Sequence, residues 1–144
     1  LYDPANEPDI AYAHLFSYFR GEEWRTQKET QRLLDKYFTT KPNGIPGNDD
    51  TGTMSAWAIF NMIGFYPDCP GLPEYTLTTP VFNKVTIRLD PKWYKEKELV
   101  IESNRTQPGT LYINKVLLNG KKFNQYRITH DELVHSQRIL FDLK

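Results

Sequence analysis

The sequence predicts an α+β fold in which helices come first and strands follow. Before residue 72, apolar residues recur at helical spacing in three segments, which glycines and prolines separate. After that point, short β-branched and aromatic runs alternate with turn residues, as they do in antiparallel sheets. We therefore expect three helices in residues 1–71 and an antiparallel β module in residues 72–144.

The first two helices are predicted from their start and stop residues. Asn6 is a good N-cap, and Gly21 closes the apolar pattern that follows it. The second helix is expected from Glu22 or Glu23 to about Tyr37, with one apolar side and one charged side. Successive helices joined by loops indicate antiparallel hairpins within a helical bundle or toroid.

The third helix and the loop before it carry most of the functional information. A loop rich in glycine and proline places Asp49 and Asp50 just before an almost wholly apolar segment that starts at Thr53. This helix should be buried on most sides and should end at Gly64. Charged side chains at the N-terminal end of a buried helix cost free energy unless they have partners, or they are kept for a function.

The second half predicts six strands and two local signals. Asn119 and Gly120 form the strongest hairpin signal in the sequence. Thr129 and Glu132 have the spacing of a capping box, which predicts a short helical turn between strands. The expected strands are residues 75–78, 85–89, 99–102, 111–118, 123–128 and 139–143.

The composition excludes several classes of protein. Lys plus Arg and Asp plus Glu are equal at 18 each, and without a long basic run there is no electrostatic reason to expect nucleic acid. Cys69 is the single cysteine, which excludes an intrachain disulfide framework. No apolar stretch approaches the roughly 20 residues of a membrane-spanning helix. The aromatic residues fit a core or sugar stacking equally well.

Local motifs for metal binding and nucleophilic catalysis do not fit. An EF-hand loop that starts at Asn48 needs a Glu at its last ligand position, where this chain has Ile59. Cys69 has no His near it in sequence, and Ser55 lacks the glycines of a nucleophile elbow. The histidines do not have metal-site spacing: His14, His130 and His135.

Two interpretations of the acidic pair remain open. Two neighbouring carboxyl groups do not both ionise cheaply, so one could be a carboxylate poised to deprotonate water. Alternatively, Asp49 or Asp50 simply caps the helix that starts at Thr53. The spacing of these residues is compatible with both interpretations.

Further motifs run along the whole chain: YDPANEPD at 2–9, IPGNDD at 45–50 with Gly52, MSAW at 54–57, GFYP at 64–67, CPG at 69–71, PEY at 73–75, PVF at 80–82, KVTI at 84–87 and ITH at 128–130. In this order they resemble the C-terminal part of glycoside hydrolase family 92, the bacterial exo-acting α-mannosidases. The resemblance covers essentially the whole chain but only the last portion of the family's catalytic region.

The resemblance implies calcium-dependent, inverting hydrolysis of terminal α-mannosides, such as α-1,2-linked mannose, on glycans including N-glycans. It also implies a secreted enzyme, in the periplasm or outside the cell. Residues 1–71 would be the last helices of an (α/α)6 toroid, and residues 72–144 would close the catalytic region.

The resemblance also assigns site residues. The family's general base lies in a loop that maps to residues 47–50, so Asp50 is the candidate base and Asp49 belongs to the same catalytic loop. Asn48 cannot take a proton, and we expect it to orient water or substrate. The Asn6 and Glu7 motif would lie beside the terminal sugar and its calcium ion, with Glu7 as a sugar or metal contact.

The family's general acid maps upstream of Leu1, so the N-terminal part of the same protein is the expected partner and this chain alone should hydrolyse nothing. Two other interpretations remain. A non-catalytic carbohydrate-binding module would stack sugar on Trp93, Tyr94 and Tyr112. Residues 72–144 could also only brace the helices.

Overall fold

The computed structural model describes residues 4–144. Tyr2 and Asp3 of the first motif lie outside this range. The α-helices are α1 (Glu23–Tyr37), α2 (Thr53–Ile63) and α3 (His130–His135), and shorter 3₁₀ helices cover Glu7–Asp9, Tyr12–Tyr18 and Asp50–Gly52. The strands are β1 (Phe65–Tyr66), β2 (Glu74–Leu77), β3 (Lys84–Arg88), β4 (Glu98–Arg105), β5 (Ile113–Leu118), β6 (Lys121–Phe123), β7 (Arg127–Thr129) and β8 (Arg138–Leu143).

The first expected helix is a pair of 3₁₀ helices rather than one α-helix. The indole N–H of Trp57 donates to the carbonyl of Ile10 at 3.0 Å. That carbonyl would accept from the N–H of His14 in an α-helix, but His14 instead bonds the carbonyl of Ala11. A tertiary contact therefore accompanies the tighter backbone pattern here.

Helix α2 ends as expected and packs on more than one side. Gly64 has φ 117°, the left-handed conformation that closes a helix, and its N–H donates to Phe60 O. Met54 and Trp57 are buried, whereas Ile59 is 57% exposed. Trp57, Ala58 and Met62 pack among the helices, whereas Phe60 and Ile63 pack against the strands. The prediction that this helix is buried on most sides is therefore confirmed for the described part of the chain, apart from an exposed strip at Ala56 and Ile59.

The strands form two sheets, and the predicted α+β class is confirmed. The smaller sheet has the order β1-β2-β7 and is antiparallel; the larger has the order β3-β4-β8-β5-β6. One pair in the larger sheet, β4 with β8, is parallel, which the sequence did not indicate. The expected strand at 123–128 is instead β6 and β7, because the chain crosses from one sheet to the other between them.

The two local signals of the second half are confirmed. Asn119 and Gly120 both have positive φ, 49° and 81°, and join β5 to β6 in a hairpin. Thr129 accepts from the N–H of Glu132, whose carboxylate accepts from the N–H of Thr129, so the capping box starts α3.

The hydrophobic core has two parts. The larger lies among the strands and includes Leu77, Ile101, Ile128 and Phe141. The smaller lies among the helices: Ala13, Leu33, Leu34, Trp57 and Ala58.

Polar contacts join the helical and sheet regions. The buried side chain of Gln27 in α1 accepts from the N–H of Ile113 in β5 at 2.9 Å. Arg127 in β7 lies 3.2 Å from the Asp68 carboxylate and 4.3 Å from the centre of the Tyr18 ring.

Within residues 4–144 no helix is long and apolar enough to cross a membrane.

Candidate functional site

Gly47 brings the loop before α2 against the segment that contains Asn6 and Glu7. Gly47 has φ 64°, and a Cβ at this position would lie 2.8 Å from Ala5 Cβ and 3.0 Å from Ala5 O. Only glycine allows such a close approach with this backbone conformation. The two segments that the sequence assigned to one site, far apart along the chain, therefore lie side by side.

A second contact holds the same two segments together. Trp57 on α2 is 2% exposed and bonds the carbonyl of Ile10, just after the Glu7–Asp9 turn. Phe38 stacks on the indole, with ring centres 5.5 Å apart and planes at 15°. The start of α2 and the Glu7–Asp9 turn are thus fixed by both a backbone contact and a buried aromatic side chain.

Asp49 makes the helix-capping contact. Its Oδ1 accepts from the Ser55 N–H at 2.9 Å, and its Oδ2 accepts from the Ser55 hydroxyl at 2.5 Å. Both bonds lower the pKa of the Asp49 carboxyl because they stabilise its charged form, and the bond from the Ser55 hydroxyl has the larger effect. A negative charge beside the first turn of α2 also interacts favourably with the helix dipole.

Asp50 differs from its neighbour in that its carboxylate is exposed and receives no hydrogen bond from any described residue. Its backbone, by contrast, is held, because the Thr53 hydroxyl donates to Asp50 O at 2.6 Å. Asn48 is exposed as well. In this loop the Asp49 carboxylate is hydrogen-bonded to Ser55, whereas the Asp50 carboxylate and the Asn48 amide are accessible.

The Asn6 and Glu7 side chains lie on the adjoining turn. Asn6 is exposed and its amide donates weakly to Asp9 Oδ2 at 3.4 Å, while Glu7 is half-buried. In the part of the chain that the structure describes, no three His, Cys, Asp or Glu side chains are grouped closely enough to hold a metal ion.

His14 is a buried residue that contacts Trp57 and Asn61 of α2, and the sequence did not predict this role. It is fully buried, stacks on Tyr66 at 4.5 Å and lies 3.0 Å from Asn61 Oδ1 through Nε2. Since the Asn61 amide nitrogen donates to Trp57 O, Oδ1 is the acceptor and His14 carries its proton on Nε2. Burial lowers the pKa of His14 to about 4, so the ring is neutral.

Sequence reasoning could not find this role for His14, because its partner Asn61 is distant in the chain. Ser55 was considered only as a nucleophile, and the structure instead makes it the partner of Asp49. A hydroxyl in the first turn of a helix that follows an acidic loop is the only sequence signal for that contact.

The three aromatic residues of the carbohydrate-binding interpretation each contact a different neighbour. Trp93 is 72% exposed and has Lys92 Nζ 4.9 Å from its ring centre. Tyr94 OH lies 3.4 Å from the His130 ring, and Tyr112 packs edge-on against Trp24. Trp93 is therefore the most accessible of the three as a stacking surface.

The model of the glycosyl hydrolase family 92 catalytic domain matches residues 1–144. The chain belongs to glycoside hydrolase family 92. A family 92 α-mannosidase from Bacteroides thetaiotaomicron has a TM-score of 0.89 and 31% identity, over 99% of this chain and 19% of that chain. The same enzyme has also been solved in complex with mannoimidazole.

A second family 92 structure and one curated relative are also similar to this chain. An inverting mannosidase from B. thetaiotaomicron VPI-5482 has a TM-score of 0.83 and 34% identity, over 97% of this chain and 18% of that chain. A protein of Arthroderma benhamiae, called an uncharacterized secreted glycosidase, is 29% identical over 88% of this chain. The chain spans 16% of that relative's length, so it corresponds to a small part of the family's proteins.

Proposed function

We propose that this chain is the C-terminal part of an inverting exo-α-mannosidase in which Asp50 is the general base. One observation carries the proposal. The close contact of Gly47 with Ala5 places the loop with the accessible Asp50 carboxylate beside the turn with Asn6 and Glu7. The similar structures of family 92 mannosidases support the substrate class.

The division of roles in the acidic loop fits base catalysis. Asp49 is already bonded through both oxygens to Ser55, whereas Asp50 is accessible to water. In an inverting glycosidase the base activates a water molecule on the face of the sugar opposite the leaving group. Asp50 would take the proton of that water, and Asn48 would orient water or substrate through its amide.

The general acid is proposed to come from another part of the same protein, since an inverting enzyme needs an acid about 6.5–9.5 Å from its base.

An exposed apolar surface between the Tyr12–Tyr18 helix and α1 suits a contact with that other part of the protein. Leu15, Phe19 and Trp24 on this surface are 46%, 63% and 42% exposed. Contiguous exposed apolar side chains are typical of protein contact sites. We expect this 144-residue chain alone to be inactive.

A calcium ion fits this site only in part. The available donors are oxygens, which calcium prefers, and the half-buried Glu7 carboxylate is the candidate ligand. Calcium takes about 6–8 oxygen ligands, so most would be sugar hydroxyls, water or residues outside this chain. When bound, calcium would polarise and orient the sugar hydroxyls. Asn6 would contact the same terminal sugar.

Terminal α-mannose on glycans, with α-1,2-linked mannose and N-glycans as candidates, is the proposed substrate. The name of the Arthroderma relative supports a secreted protein. A periplasmic or extracellular location is therefore part of the proposal.

The test is mannose release from α-1,2-linked mannobiose by the full-length protein, with calcium and with chelator. Asp50→Asn keeps the side-chain shape and removes the base, so kcat should fall about 10²–10⁴-fold. Asp35→Asn on the exposed face of α1 is the matched control and should change kcat by less than about twofold. Full activity of Asp50→Asn would refute the base assignment, and no activity of the unmodified protein on any α-mannoside would refute the substrate class.

A further inference from the structure

Ser55 holds Asp49 at two points. The Ser55 N–H and the Ser55 hydroxyl bond the two different oxygens of one carboxylate, at 2.9 and 2.5 Å. Rotation of the Asp49 side chain would break at least one of these bonds. Asp49 is consequently fixed to the first turn of α2, and Asp50 is its covalent neighbour.

The backbone around Asp50 is held by two more bonds. The Thr53 hydroxyl donates to Asp50 O at 2.6 Å, and the Gly52 N–H donates to Asp49 O at 2.9 Å. The accessible carboxylate of Asp50 therefore projects from a peptide segment that is tied to α2 on both sides.

The same segment contains an unfavourable backbone conformation. Thr51 has φ 56° and ψ 21°, in the left-handed region that β-branched residues rarely adopt. Such conformations persist only where surrounding contacts hold them, and they are frequent at functional sites. The bonds from Gly52, Thr53 and Ser55 to Asp49 and Asp50 all span Thr51 and help to hold it.

We propose that Ser55 is a positioning residue for the general base: by fixing Asp49 to α2, it sets the backbone from which Asp50 reaches the attacking water. This inference rests on the proposed role of Asp50. Ser55 does not touch substrate or water in this proposal. Its effect on the reaction passes through Asp49 and the backbone.

The experiment measures kcat and KM of the full-length protein on α-1,2-linked mannobiose for Ser55→Ala and Ser55→Thr. A displacement of a catalytic group by about 1 Å can cost about 10²-fold in rate. We expect Ser55→Ala to lower kcat by about 10–100-fold with KM changed less than about threefold. Ser55→Thr keeps the hydroxyl and should recover most of the lost kcat.

Thr129→Ala is the matched control, because it also removes a hydroxyl hydrogen bond at the start of a helix: the Thr129 hydroxyl accepts from the Glu132 N–H at α3. It should lower thermal stability to a similar extent without changing kcat by more than about twofold. Equal losses of kcat in Ser55→Ala and Thr129→Ala would mean a merely structural role and would overturn the inference.

The other outcomes separate this inference from the proposed function. Wild-type kcat in Ser55→Ala together with inactive Asp50→Asn would overturn the positioning role and leave the base assignment intact. Full activity of Asp50→Asn would remove the base assignment itself. If Ser55→Ala does not fold, Ser55→Cys carries the same test, because it keeps the backbone donor and the side-chain volume but donates only weakly from sulfur.

Discussion

Gly47→Ala tests the contact on which the site is built. The added methyl group would lie 2.8 Å from Ala5 Cβ and 3.0 Å from Ala5 O, and the residue has φ 64°. Gly21→Ala is the matched control, since Gly21 has φ 89° but nothing within 4 Å of the added methyl. Both variants meet the backbone cost of a positive φ, and only Gly47→Ala adds a clash.

The two contributions can be estimated separately. An L-residue in the left-handed region costs about 1–2 kcal/mol, of which the loss of unfolded-state entropy offsets about 0.4–1 kcal/mol. The expected net destabilisation of Gly21→Ala is therefore about 1 kcal/mol. Overpacking adds about 1–3 kcal/mol at Gly47, unless the loop moves away from Ala5. Movement of the loop would separate Asp50 from the Glu7 turn.

The assay combines kcat with hydrogen exchange of two sets of peptides, those that cover residues 43–62 and those that cover Gly21, all in the full-length protein. Each variant should lower the opening free energy of the segment around the substituted glycine, and the decrease should be about 1–3 kcal/mol larger for Gly47→Ala than for Gly21→Ala. Gly47→Ala should also reduce kcat at least about tenfold. Ala5→Gly in the Gly47→Ala background removes the nearer contact and should restore part of both. Equal behaviour of the two glycine variants, or no restoration by Ala5→Gly, would refute this account of the site.

Two further predictions concern His14 and Trp93. As the pH is lowered from 6.5 to about 4, His14 takes up a proton in the unfolded chain but not in the folded protein, where it is buried. The free energy of unfolding should therefore decrease over this range, by up to about 3 kcal/mol. His14→Gln should flatten that slope in denaturant titrations at several pH values, and an unchanged slope would contradict the assignment. Trp93→Ala should leave kcat and retention on immobilised α-mannan within about twofold. Lost retention, with Asp50→Asn fully active, would favour the carbohydrate-binding interpretation.

Elements with strong local signals were predictable from the sequence. Helix α1, the end of α2 at Gly64, the hairpin at Asn119 and the capping box at Thr129 each depend on residues within a few positions of one another. Backbone conformation there follows from capping and turn chemistry. These elements were found with errors of a residue or two at their ends.

Features that depend on distant partners were not predictable. The carbonyl of Ile10 is bonded by Trp57, 47 residues away, which accompanies the 3₁₀ pattern of the first segment. The parallel pairing of β4 with β8 joins strands that are separated by the β5–β6 hairpin, β7 and α3. The exposure of Ile59 depends on which neighbours α2 has within the described chain. No local pattern reports such contacts.

The acidic loop shows why the two interpretations of its carboxylates could not be separated by sequence. Capping and catalysis were treated as alternatives for one pair, yet the geometry gives Asp49 the capping contact and leaves the Asp50 side chain accessible. The two roles depend on each other in the proposed mechanism. A base must be held in place while its carboxylate remains free to take a proton, and a neighbouring residue bonded to a helix provides the restraint without occupying the base. Ser55 determines which of the two acids is restrained.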